Sequence, residues 1–184
     1  GSPEMVKKLF PQVKLIKSSE NLGFAKGNNV GVKQTKGRYI LFLNSDVSID
    51  QLDWESVLDV FKQSKKLGAL TVRVELSSNK IDPASHRGFP TVWNSLCYYS
   101  KLEAITKSIP FLNIFFGGYH LTHFDLTKSH EIDSPSGAFY LSPKRVLDEV
   151  NGFDDTYFMY GEDLDLSFRI KEKGYKIMYF PQER

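Results

Sequence analysis

The spacing of apolar residues along the chain changes several times, and each change marks an element. Residues 13–16, Val-Lys-Leu-Ile after Pro11, read as a short strand. Residues 24–35 read as a helix, although Gly27 and Gly31 each lower its propensity by about 1 kcal/mol relative to alanine. Their spacing puts Gly23, Gly27 and Gly31 on one side of that helix, with Asn28 beside them. Such a stripe admits close approach of either a neighbouring strand or a ligand. Residues 38–43 are apolar almost without interruption, which predicts a strand covered on both faces, as in a parallel sheet. Residues 52–66 carry Leu52, Val57, Leu58 and Phe61 on one helical face. Residues 67–76 then return to strand character before a turn at 77–79.

The middle is less regular. Phe89-Pro90-Thr91 opens a helix running to Ser100. Residues 110–133, with Gly117-Gly118, His120, His123, His130 and several aromatics, read as a long binding loop or lid. Order returns with a strand at 138–141, a short helix at 143–150 and a turn at Asn151-Gly152-Phe153-Asp154. Residues 164–173 form a helix closed by Gly174, with Lys171 and Lys173 in its last turn, and 175–180 a final strand before Pro181. Strands alternating with helices make an α/β domain. Residues 5–184 read as that single domain, and residues 1–4, ahead of Met5, have the look of a cloning scar.

Composition narrows the classes. A chain of 184 residues buries enough surface to fold without a disulfide or metal. With 24 Lys plus Arg against 22 Asp plus Glu, the net charge of +2 gives no electrostatic case for a nucleic-acid partner. The single cysteine, Cys97, sits in an apolar stretch and reads as a core residue. Without a disulfide framework, a cytoplasmic setting is expected, either free or peripheral at the inner face of the membrane. No apolar run reaches the 18 or so residues of a membrane span.

Two acidic places carry candidate chemistry. Asn44-Ser45-Asp46 ends the apolar strand at its carboxyl end, where ligands bind in open α/β sheets. A carboxylate held there suits a hard divalent cation bridging phosphates. Ordinary turn chemistry accounts for the same triplet. The second place is Glu162-Asp163, at a helix N-terminus that favours anions. Capping explains part of it. Crowding by Tyr157, Phe158, Met159 and Tyr160 would desolvate the carboxylates and raise a pKa toward that of a general base. Asp165 and Arg169 are spaced to pair along the helix. His86-Arg87 could touch a phosphate, with a surface pair as the plainer reading, and His120 and His123 read as solvated loop residues.

These blocks resemble the family 2 glycosyltransferases, most of all their rhamnosyltransferase-like branch. The likeness rests on Asn21-Leu22-Gly23-Phe24-Ala25, Gly27-Asn28-Asn29 and the run from Tyr39 to Asp46, then on Ser136-Gly137-Ala138-Phe139, Gly152-Phe153-Asp154, Phe158 to Leu166, Arg169 and Gly174. Arg87-Gly88-Phe89-Pro90 also looks like a loop of that branch. The resemblance implies a GT-A-like, Rossmann-like mixed sheet flanked by helices, and an inverting transfer from a nucleotide-diphosphate sugar. It implies that Asp46, in an N-x-D form of the family's metal motif, holds Mg²⁺ or Mn²⁺ against the diphosphate. Asp163, with Glu162 beside it, would be the base, and Asn28, Asn44, Arg87, Gly137 and Ala138 would line the donor and acceptor cleft. The donor would be a dTDP- or UDP-sugar, rhamnose by the nearest branch, and the acceptor a glycan or lipid-linked glycan of a bacterial surface polysaccharide. Relative to the family, the chain looks short of the N-terminal nucleoside-binding strands. That predicts either re-pairing of residues 13–16 with 38–43 or a sheet edge open to self-association. The competing reading is a non-catalytic sugar- or partner-binding module of the same fold.

Overall fold

The computed structural model describes residues 1–181. Its elements run α1 (Ser2–Leu9), α2 (Gly23–Lys33), β1 (Tyr39–Leu43), α3 (Trp54–Gln63), β2 (Leu67–Val72), α4 (Val92–Tyr99), α5 (Leu102–Thr106), α6 (Pro110–Phe116), β3 (His130–Ile132), β4 (Phe139–Pro143), α7 (Lys144–Glu149), α8 (Glu162–Glu172) and β5 (Lys176–Phe180). The strands form one mixed sheet in the order β1-β4-β2-β5-β3. Only β2 and β5 run parallel; β1 with β4, β4 with β2, and β5 with β3 are antiparallel. The α/β class expected from the alternating elements is the class observed.

Both faces of the sheet are covered. Ile40, Phe42, Ala69, Tyr140, Ile177 and Tyr179 point to the side of α2, α7 and α8, where Ala25, Val146, Leu147, Leu166 and Ile170 are buried. Phe139, Leu141, Leu70 and Val72 point to the other side, against Val57 and Phe61 of α3. Full burial of a side chain such as Ile170 on one side or Val57 on the other contributes about 1.5–3 kcal/mol, so both layers hold the sheet between helices. α3 starts where Asp53 accepts hydrogen bonds from the backbone N–H groups of Glu55 and Ser56. In β2 the register slips between Leu67 and Ala69. This bulge puts Leu67 and Leu70 on the same face despite their odd separation. Gly68 fills the slip because any Cβ there would stand 2.6 Å from Ile170 and 2.7 Å from Tyr175.

Several expectations change. Residues 13–16 form no strand and do not re-pair with β1, and Val13 and Ile16 are exposed. β1 is an edge strand paired with β4 alone, not a central strand of a parallel sheet; its apolar run reflects helices on both faces, α2 on one and α3 on the other. The edge of β1 facing away from β4 is thus the open one. Residues 110–133 are not one long loop, since they hold α6 and β3. The glycine stripe divides as well. A Cβ at Gly23 would collide with the carbonyl of Phe158, while at Gly27 and Gly31 it would meet nothing within 4 Å.

Helices α4 to α6 make a separate layer. The chain leaves the sheet domain through Gly88 and returns through Gly118, and a Cβ on Gly88 would strike the Gly118 carbonyl. The Gly88 N–H donates to Tyr119 O (2.9 Å), and the Asn94 amide donates to Phe89 O (2.9 Å), closing this neck.

Gly68→Ala is expected to lower stability by about 1–3 kcal/mol through overpacking. Gly31→Ala is expected to raise it by about 0.4–1 kcal/mol through the unfolded chain. Urea denaturation of both variants, with unchanged m values, checks this pair.

Candidate active site

One short segment, residues 134–138, draws the two acidic places together. At its start, Arg87 and Ser134 exchange backbone hydrogen bonds of 3.1 and 3.0 Å. The Ser134 hydroxyl donates to the carbonyl of Asp163 (3.3 Å) and receives the Ser167 hydroxyl (3.0 Å). At its other end, Ala138 O accepts the N–H of Asn44 (3.3 Å), and Gly137 lies against the ring of Phe24, where a Cβ would not fit. Four residue steps separate Ser134 from Ala138, a span of at most about 14 Å. The loop ending β1, the N-terminus of α2 and the N-terminus of α8 therefore border one region. Phe24 N–H donates to Phe158 O (2.8 Å), tying α2 to the loop that enters α8.

Asp163 lies on the buried stripe of α8, with Leu166, Ser167 and Ile170 following it at helical spacing. Gly161, at φ +90°, turns the chain into that helix. Arg87 Nη2 donates to Asp163 Oδ2 at 2.6 Å, with the side chains 15% and 13% exposed, and Asp163 Oδ1 accepts the Leu164 N–H at 2.8 Å. Arg87 is thus no surface residue: its bridge to Ser134 carries it onto Asp163. His86, expected beside it on the surface, is buried under the Tyr179 ring and accepts or donates to the Ser85 hydroxyl at 2.9 Å. Burial first, then the nearby His130 and His120, pull its pKa down to about 4.

Three buried polar atoms around the same segment have no partner among the described residues: Arg87 Nε, Ser136 Oγ and Glu162 Oε2. Buried polar groups are nearly always bonded, so three orphans along one segment set it apart from ordinary core. Burial also raises the Glu162 pKa, with the Asp163 charge adding to it and a backbone hydrogen bond and Arg87 opposing. The aromatic crowd does not supply that burial, since Phe158, Met159 and Tyr160 are all exposed. Position on the helix stripe does.

The remaining expected residues separate. Asn44 is half-buried and closes a turn by accepting the Val47 N–H (3.2 Å); Asp46 within that turn is exposed. The turn reading of this triplet is therefore correct as geometry, and it leaves the carboxylate facing outward. Asn28 donates to Phe24 O of its own helix (2.9 Å). It is Asn29 that crosses between elements: its amide donates to Phe153 O (2.8 Å) and Asp155 Oδ1 (2.6 Å), and its oxygen accepts the Phe153 N–H (3.0 Å). Nothing in the sequence ranks Asn29 above Asn28, and Ser134 and Ser167 carry no motif signal either. Asp165 pairs with Arg169 at 2.6 Å as the spacing predicts. His120 is not solvated loop; it is half-buried, with Nδ1 3.2 Å from Glu103. Cys97 is buried and free, as expected.

No group of three or more His, Cys, Asp or Glu among the described residues could enclose a metal ion. Mg²⁺ is commonly held by one or two carboxylates together with substrate phosphates, and an outward-facing Asp46 beside Asn44 fits that mode rather than a closed protein cage.

Comparison with known proteins identifies the family and the fold. The glycosyl transferase family 2 model matches residues 1–126, and the chain belongs to that family. Among curated proteins it is similar to the rhamnosyltransferase WbbL of Escherichia coli (strain K12), 29% identical over 86% of this chain and 58% of that protein. It is also similar to the N-acetylglucosaminyl-diphospho-decaprenol L-rhamnosyltransferase of Mycobacterium tuberculosis, 22% identical over 98% of this chain and 60% of that protein. The chain therefore spans about three-fifths of the length of these relatives. A crystal structure of GalNAc-T7 with UDP, GalNAc and Mn²⁺ superposes with a TM-score of 0.62 over 96% of this chain and 32% of that one, at 15% identity, which establishes the GT-A fold.

Arg87→Met leaves Asp163 buried without its cation and is expected to lower stability by about 3–5 kcal/mol; adding Asp163→Asn should recover part of that loss in urea denaturation. Because the folded pKa of Glu162 lies above its ordinary 4.5, the folded state holds this proton more tightly, and stability falls as pH rises through the window above 4.5. Glu162→Gln removes that fall, so the variant should gain on the parent as pH rises above 4.5, measured as the difference in urea midpoints.

Proposed function

We propose that this chain carries the transfer site of an inverting glycosyltransferase that moves a sugar, rhamnose on the model of its named relatives, from a nucleotide-diphosphate donor to a glycan or lipid-linked acceptor. The observation that carries this reading is that segment 134–138 bonds at one end to the Asp163 carbonyl and at the other to the Asn44 N–H, with Glu162 Oε2 orphaned next to Asp163 in the chain. In this reading the Asp163 carboxylate takes the proton of the acceptor hydroxyl while that oxygen attacks the anomeric carbon. The bond from that carbon to the diphosphate oxygen breaks in line, and the nucleoside diphosphate leaves with the electron pair.

Arg87 has two tasks here. It fixes the direction of the Asp163 carboxylate, and it keeps a buried negative charge from standing alone. Glu162, whose Oε2 has no partner of its own, stands beside Asp163 as a hydrogen-bonding group for a sugar hydroxyl near the reacting centre. Gly137 and Ala138 leave the cleft wall without bulky side chains, and Asn28 and Asn44 border its donor side. Asp46, with Mg²⁺ or Mn²⁺ and the donor diphosphate completing the coordination, would hold an ion that neutralises charge on the leaving group. A second reading, a non-catalytic sugar-binding module, is favoured by the same ion pair, because Arg87 already occupies one Asp163 oxygen.

Titration calorimetry with dTDP and UDP, with and without Mn²⁺, separates the two. The transfer reading expects metal-dependent binding that Asp46→Ala abolishes. Asp163→Asn should leave that binding within about threefold while lowering transfer at least about 100-fold, since a base acts in the transition state. Equal loss of both would assign Asp163 a structural role.

A further inference from the structure

The α4–α6 layer has its polarity turned inside out. Apart from Cys97, its buried side chains are polar: Glu103 receives the backbone N–H of His120 (3.0 Å), Asn113 receives the Thr122 hydroxyl (2.7 Å), and Thr106 donates to Leu102 O (2.7 Å). Its outward side chains are apolar, with Val92 90% exposed, Tyr99 80%, Phe111 71% and Ile105 68%. The apolar positions are contiguous across the layer. Trp93 donates to Phe115 O (2.9 Å) and rests its ring 5.8 Å from Phe116, while Phe111 and Phe115 meet at 5.6 Å. A water-facing helix pair has the reverse arrangement, and an exposed apolar patch of this extent marks an interaction surface.

The charges select the partner. Between Thr91 and Gly118 the acidic and basic residues are Lys101, Glu103 and Lys107. Glu103 is buried against His120, so the exposed charges are the two lysines, both beside the apolar face. A two-fold contact with a second copy would bring like charges together. A layer of anionic headgroups over hydrocarbon complements both features, with Trp93, Tyr98 and Tyr99 suited to the boundary between them. α4 has eight residues, about 12 Å of rise, which is an interfacial length and no span. We propose that the outer face of α4, α5 and α6 docks on a membrane surface containing anionic lipid, seating Trp93, Phe111 and Phe115 at the acyl boundary. This goes beyond the transfer reading and is measured without donor or acceptor, so either can fail alone.

The test is co-sedimentation of the whole chain with vesicles of phosphatidylcholine alone and of phosphatidylcholine mixed with phosphatidylglycerol. Binding to the mixed vesicles is expected, with a blue shift of Trp93 emission in a Trp54→Phe background. Phe111→Ser/Phe115→Ser should weaken it at least about tenfold, and Lys101→Glu/Lys107→Glu should remove the preference for phosphatidylglycerol. Circular dichroism identical to that of the parent confirms that these exposed substitutions leave the fold intact. Absence of vesicle binding by the parent, or binding that both double variants retain, overturns the proposal. So does a dimer in light scattering that Phe111→Ser/Phe115→Ser dissociates while vesicles bind neither form, which would make the face a contact between copies.

Discussion

At 2.6 Å, the ion pair between Arg87 and Asp163 joins two parts of the chain far apart in sequence: the strand-like turn leading into the α4–α6 layer and the first turn of α8. Its value is positional. Bringing two charges into a site this dry costs desolvation that their attraction only roughly offsets, so the pair adds little net stability while making any other arrangement of Asp163 expensive. The hydroxyl chain beneath it has the same effect. Tyr140, Ser167 and Ser134 bond in sequence and end on the Asp163 carbonyl, all fully buried under the sheet face. With Tyr140 on β4 and Ser134 at the start of the 134–138 segment, the sheet itself fixes where the helix begins. The orphaned Glu162 Oε2 and Ser136 Oγ are held in place by this frame and not by partners of their own.

What could be read from the amino-acid order was what local chemistry decides. β1, α3, α8 and β5 announce themselves through unbroken apolar runs, an apolar helical face or a closing Gly174. The position of Glu162-Asp163 at a helix N-terminus follows from the same local rules. Pairing does not. That β1 would lie antiparallel to β4, about a hundred residues on, depends on which edges remain after the helices have packed, and an apolar run looks alike in either sheet type. Arg87 shows the limit most clearly. Next to Gly88 and before a proline-containing turn, it has every mark of a surface residue, and only the fold brings it across 76 positions to Asp163. Likewise α6, Pro-Phe-Leu-Asn-Ile-Phe-Phe, is short, apolar nearly all round and without a capping side chain, so periodicity offers no helix to find.

The neck between the sheet and the α4–α6 layer is fastened to α8 at three heights. Arg87 holds Asp163, the Phe89 ring meets Phe168 at 5.7 Å, and Asp133 links the Phe89 N–H (2.9 Å) to Lys171 (2.6 Å). Contacts at residues 163, 168 and 171 along one helix leave the layer no hinge of its own. Gly88 and Gly118, packed without room for a side chain, remove the remaining slack. A surface resting against the outer face of that layer would then stand at a fixed distance and angle from Asp163. For an acceptor whose sugar is carried on a lipid, such rigidity matters more than a tight glycan pocket. If the proposed docking and transfer both hold, anchoring at a set height above the headgroups would confine the attacking hydroxyl to a thin shell and supply part of the orientation that a pocket would otherwise have to provide.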